Sequence, residues 1–275
     1  MIRALGPRQP QADHEEGCGG NRQVQSREMS DSSHGDQLTT HASRSDRLRW
    51  LLASVALIAT CLYAVTWIAT PNTRDLLIRV AKLDAAHHTV PLRPGEVPRY
   101  LADALVATED SSFYHDHGVN VEGLLRSAGY DLIHLCECQG GSTITEELAD
   151  NIYMGGTDHS IWGRWWDIIL ALKIEDHLSK TQVLDAFLSE VRLGNGTVGA
   201  EQASVVYFHQ QLRQDTLAQL ALLAGLPQSP SLLDPMTHPA AARARREDVL
   251  ELMQQDGYIS PSQAHQAERQ PLLPE

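Results

Sequence analysis

The sequence predicts an all-α protein with one transmembrane helix near its N-terminus. Two observations lead to this fold class. Residues 50–70 form an uncharged, mostly apolar stretch, and apolar residues recur at helical spacing along most of the chain after residue 98. Two capping-box patterns, at 179–182 and 260–263, mark helix starts. The alternation that is typical of strands is scarce.

The first element is the predicted membrane anchor at residues 50–70. A helix needs about 20 apolar residues to cross the hydrocarbon core, and Trp50 and Trp67 lie where an interfacial aromatic belt would lie. A buried core helix is the alternative, which the preceding polar tail and arginines disfavour. No cleavage site of small residues follows, so we expect an uncleaved anchor.

Residues 1–49 are predicted to be a disordered tail, because they contain few aliphatic residues and show no periodicity. Positive charges flank the anchor equally on both sides, so charge alone does not set its orientation. The net charge of −13 falls on the chain after the anchor, since the tail carries equal numbers of acidic and basic residues. Such an acidic surface argues against a nucleic-acid partner.

After the anchor, residues 71–97 are predicted to be a proline-rich linker leading into a domain at 98–275. Helical periodicity is expected across that domain, at 101–109, 119–135, 143–153, 165–178, 180–188, 216–226 and 240–255.

The first segment with chemical potential is residues 109–118, where Glu109 and Asp110 close a helix. A carboxylate beside apolar residues tends to have a raised pKa, which suits a general base near neutral pH. Taken alone, a helix that ends in two acidic residues is more often a solvated terminus.

Two further segments follow. Residues 139–151 contain a glycine turn that leads into a helix start, an arrangement that can bind an anion through free N–H groups. A simple N-capped turn is the plainer interpretation. Residues 163–167 place Arg164 and Asp167 at the opening of an apolar helix, where an acidic residue is also favourable without any function.

The order and spacing of these segments resemble glycosyltransferase family 51, the peptidoglycan polymerases. The first motif, E-D-x-x-F-x-x-H-x-G, matches at 109–118, and the second, G-G-S-T-I-T-Q-Q-L-x-K-N, matches in part at 140–151. The third region at 163–175, a glycine-rich region at 194–208 and a closing motif at 222–230 follow in the family's order. The resemblance extends from about Pro98 to about Ala267.

The resemblance implies a lysozyme-like helical domain with a smaller membrane-proximal lobe. It implies that Glu109 deprotonates the acceptor sugar hydroxyl, and that Asp167 positions the diphosphate leaving group through a divalent cation, Mg²⁺ or Mn²⁺, with no organic cofactor. The implied substrate-binding residues are Asp110, Phe113, His117, Gly118, Gly141, Ser142, Thr143, Thr145, Glu146, Glu147, Asp150, Asn151 and Arg164.

The implied activity is polymerisation of lipid II with release of undecaprenyl diphosphate. The expected partners are lipid II, the growing glycan strand, the membrane and other cell-wall synthesis proteins. The expected location is the bacterial inner membrane, with the N-terminus in the cytoplasm and the domain on the outer face. The sequence contains no Ser-x-x-Lys, so no penicillin-binding transpeptidase domain is expected in it.

Several motif positions depart from the family pattern, and the changes share one sign. Glu146 and Glu147 stand where the family has glutamines, Asp150 where it has lysine, and Gly163 where it has arginine. Because a diphosphate leaving group is stabilised by cations and donors, these changes weaken its expected binding. Two alternatives to the polymerase therefore stay open: a family member that binds lipid II, glycan or cell-wall enzymes without polymerising, and a lysozyme-like hydrolase.

Overall fold

The computed structural model describes residues 44–87, 92, 95–134, 141–156 and 160–274. The chain divides into two units, residues 1–52 and 53–275, which are described separately. In the first unit only the start of α1 is described, and the predicted disorder of residues 1–43 lies outside the described part. The helices are α1 (Arg44–Ala69), α2 (Leu76–His87), α3 (Arg99–Glu109), α4 (Val121–His134), α5 (Ile144–Ala149), α6 (Ile161–Glu175), α7 (Lys180–Glu190), α8 (Ala200–Phe208), α9 (Leu217–Gly225), α10 (Pro239–Gln255) and α11 (Pro261–Glu268).

The helix α1 contains the predicted membrane anchor. It begins at Arg44, inside the segment that was predicted to be a disordered tail, because polar residues with adequate helix propensity continue the apolar helix toward its N-terminus. Among the described residues it is the one helix long and apolar enough to cross a membrane, over Asp46–Ala69. In the second unit, Val65 and Ile68 of α1 are 63% and 83% exposed. Apolar side chains that face outward suit a lipid environment.

The remainder of the second unit is helical, as predicted. Its first layer is formed by α3, which packs on α9 and α10, while α10 also packs on α11. Leu101 and Leu105 on α3 are fully buried and lie one helical turn apart on the face that meets these helices. No strand occurs in the part of the chain that the structure describes, where one isolated bridge pairs Arg192 with Val198.

A second group of helices carries the remaining motif residues. Here α5 packs on both α6 and α7. The predicted helix at 143–153 is in fact two pieces, since α5 passes into a π-helical turn at Asp150–Met154. Single π-turns of this kind are rare and often accompany functional sites.

Two helices were not predicted from the sequence. The expected linker at 71–97 contains α2, which packs on α7 and buries Leu76 and Val80, one helical turn apart. Its prolines lie before and after the helix and obscured a short apolar period. The second missed helix, α8, starts after Gly199 in the glycine-rich region of the resemblance, for which no element was predicted.

Candidate active site

Glu109 is the last residue of α3, and its side chain is held at the edge of the helical core. The helix ends there, and Asp110 follows it with the non-helical backbone angles φ −155° and ψ 80°. The Glu109 side chain keeps 21% of its surface exposed. Burial raises the pKa of its carboxyl, and the charge of Arg245 opposes that rise. The group is therefore sheltered from water and still accessible to a ligand.

Arg245 on α10 holds this carboxylate from the opposite side. Its Nη2 lies 3.4 Å from Glu109 Oε1, and its Nε donates to the Gly225 carbonyl at 3.2 Å. A Cβ on Gly225 would lie 2.8 Å from Arg245 Cγ, so glycine leaves the room that the arginine stem occupies. The packing of α3, α9 and α10 thus brings a cation to Glu109.

The Asp110 side chain is buried and belongs to a polar network. Its Oδ2 accepts the Ile144 N–H at 3.3 Å, and Ser112 Oγ lies 2.9 Å from its Oδ1 and 2.8 Å from Asp116 Oδ2. Burial, followed by the charge of Asp116, raises the pKa of Asp110 to about 6. Asp110 therefore connects the first motif to the start of α5.

Lys180 at the start of α7 neutralises part of this network. Its Nζ lies 2.8 Å from Asp116 Oδ1 and 2.6 Å from Glu175 Oε1. It also lies over the ring of Phe113, 4.4 Å from the centroid. Thr145 donates to the same oxygen of Glu175 at 2.7 Å. The first motif, α5, α6 and α7 are joined by these contacts.

The two glutamates in α5 are the most perturbed carboxyls near Glu109. Burial is the main cause in both and raises the pKa of each to about 7. For Glu147 the next causes are the negative charges of Glu109 and Asp150. For Glu146, Arg164 opposes the rise, whereas Asp167 and Asp110 add to it. Near neutral pH these side chains divide between the ionised and the protonated form, and the protonated form can donate a hydrogen bond as an amide does.

Asp167 and Arg164 lie on α6 and face Glu146 closely enough to shift its pKa in opposite directions. Arg164 is exposed, whereas Asp167 is half-buried. Within the described ranges no group of three metal-ligating side chains comes together. Asp167 stays a predicted metal ligand.

Several predicted substrate-binding residues act structurally in this arrangement. Phe113 and Thr145 are fully buried, and Thr143 is 2% exposed. Thr143 caps α5 by accepting the Glu146 N–H, and it donates to the Gly118 carbonyl at 2.6 Å. Gly118 has a φ of +83°, and a Cβ there would lie 2.9 Å from the Ala171 carbonyl oxygen. These four residues set the position of the first motif against α5 and α6.

The other predicted site residues have surface to offer a ligand. His117 and Ser142 are exposed, and Gly141, Asp150 and Asn151 are half-buried. The chain before Gly141, residues 135–140, lies outside the described part.

Two residues of the assembled site were not predicted to be functional. Both Arg245 and Lys180 lie outside the five matched motif segments and only within the wider resemblance from about Pro98 to about Ala267. Lys180 is separated from Asp116 by 64 positions and Arg245 from Glu109 by 136. No local pattern reveals such a pairing, which depends on how α7 and α10 pack.

Comparison with known proteins places this site in a family. Residues 77–254 match the family described as Transglycosylase. The chain is 33% identical over 174 residues to penicillin-binding protein 1F of Bacillus subtilis and 36% identical over 177 residues to penicillin-binding protein 1A of Escherichia coli. These alignments cover 63% and 64% of this chain but only 24% and 21% of the relatives.

A solved structure is also similar, penicillin-binding protein 1A from Haemophilus influenzae at 2.6 Å resolution. It shows 21% identity and a TM-score of 0.40, over 67% of this chain and 18% of that one. On the family match, this chain is a member of the transglycosylase family. The chain spans about a quarter of the length of the curated relatives that it matches.

Proposed function

We propose that this protein is a membrane-anchored peptidoglycan glycosyltransferase that polymerises lipid II into glycan strands. The observation that carries the proposal is the setting of Glu109. Its carboxylate is partly exposed, burial raises its pKa, and the Arg245 guanidinium lies beside it. Glu109 occupies the family's first motif within the matched residues. A general base that works near neutral pH needs this combination of access and perturbed acidity.

In the proposed reaction Glu109 accepts the proton of the acceptor sugar hydroxyl. That oxygen forms a bond to the anomeric carbon of the donor, and the bond from this carbon to the diphosphate oxygen breaks. The leaving group departs as undecaprenyl diphosphate with the electron pair of the broken bond. Arg245 would keep the Glu109 carboxylate oriented and would stabilise its ionised form before the proton arrives.

The leaving diphosphate would lie near α5 and α6. Arg164 is the cation that α6 brings near Glu146, where Asp167 adds negative charge, and Asp150 adds negative charge beside Glu147. Protonation of Glu146 and Glu147 near neutral pH would lower that repulsion. A divalent cation, when bound, would add positive charge for the phosphate oxygens, with Asp167 as its protein ligand.

Three features support a lipid-linked substrate. The helix α1 meets the length and composition of a membrane span. At the start of α6, Ile161 and Trp162 are 82% and 65% exposed. They precede Arg164 by three and two positions. Exposed apolar residues next to a phosphate-binding candidate suit a site that receives its substrate from a bilayer.

A second function, binding without polymerisation, is favoured by the carboxylates of α5. In the family pattern the positions of Glu146, Glu147 and Asp150 are neutral or cationic. The charge of Asp150 raises the pKa of Glu147, and three acidic side chains at these positions would oppose an anionic leaving group.

The test is incubation of the purified full chain with fluorescent lipid II in detergent, with and without Mg²⁺ or Mn²⁺, followed by gel separation of products. The polymerase proposal predicts glycan strands and an increase in yield for Asp150→Lys. Absence of strands in every condition, together with saturable lipid II binding, would establish the binding function instead. Release of muropeptides from finished strands would indicate a hydrolase.

A further inference from the structure

The C-terminal end of α1 has a hydrogen-bonding gap that its own sequence creates. In an α-helix the Trp67 carbonyl would accept the N–H of the residue four positions later. That residue is Pro71, which has no N–H to donate. The Thr70 hydroxyl donates weakly to this carbonyl, at 3.2 Å. The last turn of the membrane helix therefore lacks the backbone donor that it needs.

Lys173 of α6 supplies that donor. Its Nζ lies 2.6 Å from the Trp67 carbonyl oxygen, 3.0 Å from that of Thr70 and 3.3 Å from that of Pro71. The ammonium also lies over the Trp67 ring, 5.1 Å from its centroid. A lysine has three donor hydrogens, so one side chain can satisfy all three carbonyls.

The charge of Lys173 is buried and is balanced by dipoles. The residue is 8% exposed, and its ammonium donates to three backbone carbonyls. Burial lowers the pKa of its ammonium. The partial negative charge of a helix C-terminus favours a cation at this point. Thr66 and Thr70, on the same end of α1, are 9% and 5% exposed, so this turn is packed into the domain.

We propose that Lys173 is a positioning residue that fixes the end of the membrane helix to α6. We call the contacts of Lys173 with the end of α1 the joint. The helix α6 carries Arg164 and Asp167, so the joint sets their position relative to a substrate held in the bilayer. The joint itself follows from the contacts of Lys173, whereas its use for a lipid-linked substrate rests on the proposed function.

The first measurement is amide hydrogen exchange of residues 68–76 in the full chain, reconstituted in lipid nanodiscs. Lys173→Met removes the donor and keeps a side chain of similar length. We expect exchange in this segment to become at least about tenfold faster. Without the Lys173 hydrogen bonds to break, local opening of the segment requires less free energy. Lys173→Arg, which keeps a charged donor, should restore part of the protection.

The matched control is Lys82→Met, which removes an exposed lysine from α2. It should leave exchange at 68–76 unchanged. Equal exchange in wild type and Lys173→Met, with both chains folded in the remainder of the exchange map, would overturn the proposal. A general rise in exchange across all helices would assign Lys173 to global stability and would also overturn it.

The second measurement compares initial rates on lipid II in vesicles and in detergent micelles. If the joint positions the site over the bilayer, Lys173→Met should lose roughly tenfold more activity in vesicles than in micelles. Equal losses in both would contradict that use. No activity of the wild type in either medium would count against the proposed function, while the exchange result would still decide the joint.

Discussion

At Glu109, two opposing effects act on one carboxylate. Burial at the end of α3 raises its pKa, and Arg245 lowers it again through a contact of 3.4 Å. A base must be ionised to accept a proton, yet a base with too low a pKa accepts it poorly. The guanidinium therefore keeps the group in its working form while the surrounding packing keeps it basic.

This balance predicts the effect of Arg245→Met on the pH–rate profile. Because Arg245 lowers the pKa of Glu109, its removal should raise that pKa and move the acid limb of kcat/KM to higher pH. Arg245→Lys should move the limb less. The exposed Arg243 on the same helix provides the control Arg243→Met, which should leave the limb in place. A fall in rate with an unchanged profile would contradict the electrostatic role.

Glu146 offers a test in the stability of the fold. Its side chain is nearly buried, and its pKa is raised from 4.5 to about 7. Between these pH values the folded chain retains a proton that the unfolded chain has lost. This group therefore makes the stability of the fold decrease as the pH rises from 4.5 to about 7, and the loss of stability persists at higher pH.

Glu146→Gln removes this titration. The quantity compared is the free energy of unfolding of the variant minus that of the wild type. We expect this difference to be on the order of 3 kcal/mol larger at pH 8 than at pH 4.5. Denaturant unfolding of the full chain in detergent at both pH values measures it. Glu251→Gln, at an exposed position of α10, is the control. The same difference between Glu146→Gln and wild type at both pH values would rule out a raised pKa.

At the scale of elements, Arg246 connects α10 to the end of α11. The residue is 1% exposed, and its guanidinium donates to the carbonyls of Glu268, Gln270 and Pro271 at 3.0, 3.1 and 3.2 Å. These carbonyls follow or end a helix and lack intrahelical donors. One buried side chain therefore terminates α11 and holds the segment after it.

Replacing this residue should destabilise the domain without touching the site. For Arg246→Met we expect a loss of about 3 kcal/mol, since three partly buried carbonyls would lose their donor. Thermal unfolding of the full chain measures the loss, and Arg243→Met serves as the exposed control. Equal midpoints for the two variants would show that the contacts of Arg246 contribute no net stability.

Helices whose residues show a strong local pattern could be predicted, whereas elements that depend on contacts distant in sequence could not. The capping boxes at Ser179 and Ser260 form as the sequence predicts, because they depend on residues only three positions apart. The π-turn after α5 packs on α2, and the short helix α2 packs on α7. A local pattern does not contain such contacts. The same reason hides Arg245 and Lys180, whose partners lie far away in sequence.

At the scale of the whole molecule, Lys173 joins the predicted membrane helix to an acidic domain through three backbone carbonyls. The all-α class was predictable because apolar spacing extends over most of the chain. The roles of the motif residues were less so, since composition does not distinguish a buried threonine that caps a helix from an exposed serine that meets a ligand. The net charge of −13 disfavours an anionic leaving group, so its stabilisation is the most difficult requirement of the proposed reaction.

The most direct test of the central claim is the rate of lipid II polymerisation by the wild type and by Glu109→Gln. Both full chains are assayed in the same detergent, with a divalent cation present and Glu251→Gln as the control. If Glu109 is the general base, the variant should polymerise roughly 10²- to 10⁴-fold more slowly while still binding lipid II. Glycan strands formed at equal rates by the wild type and Glu109→Gln would contradict the account.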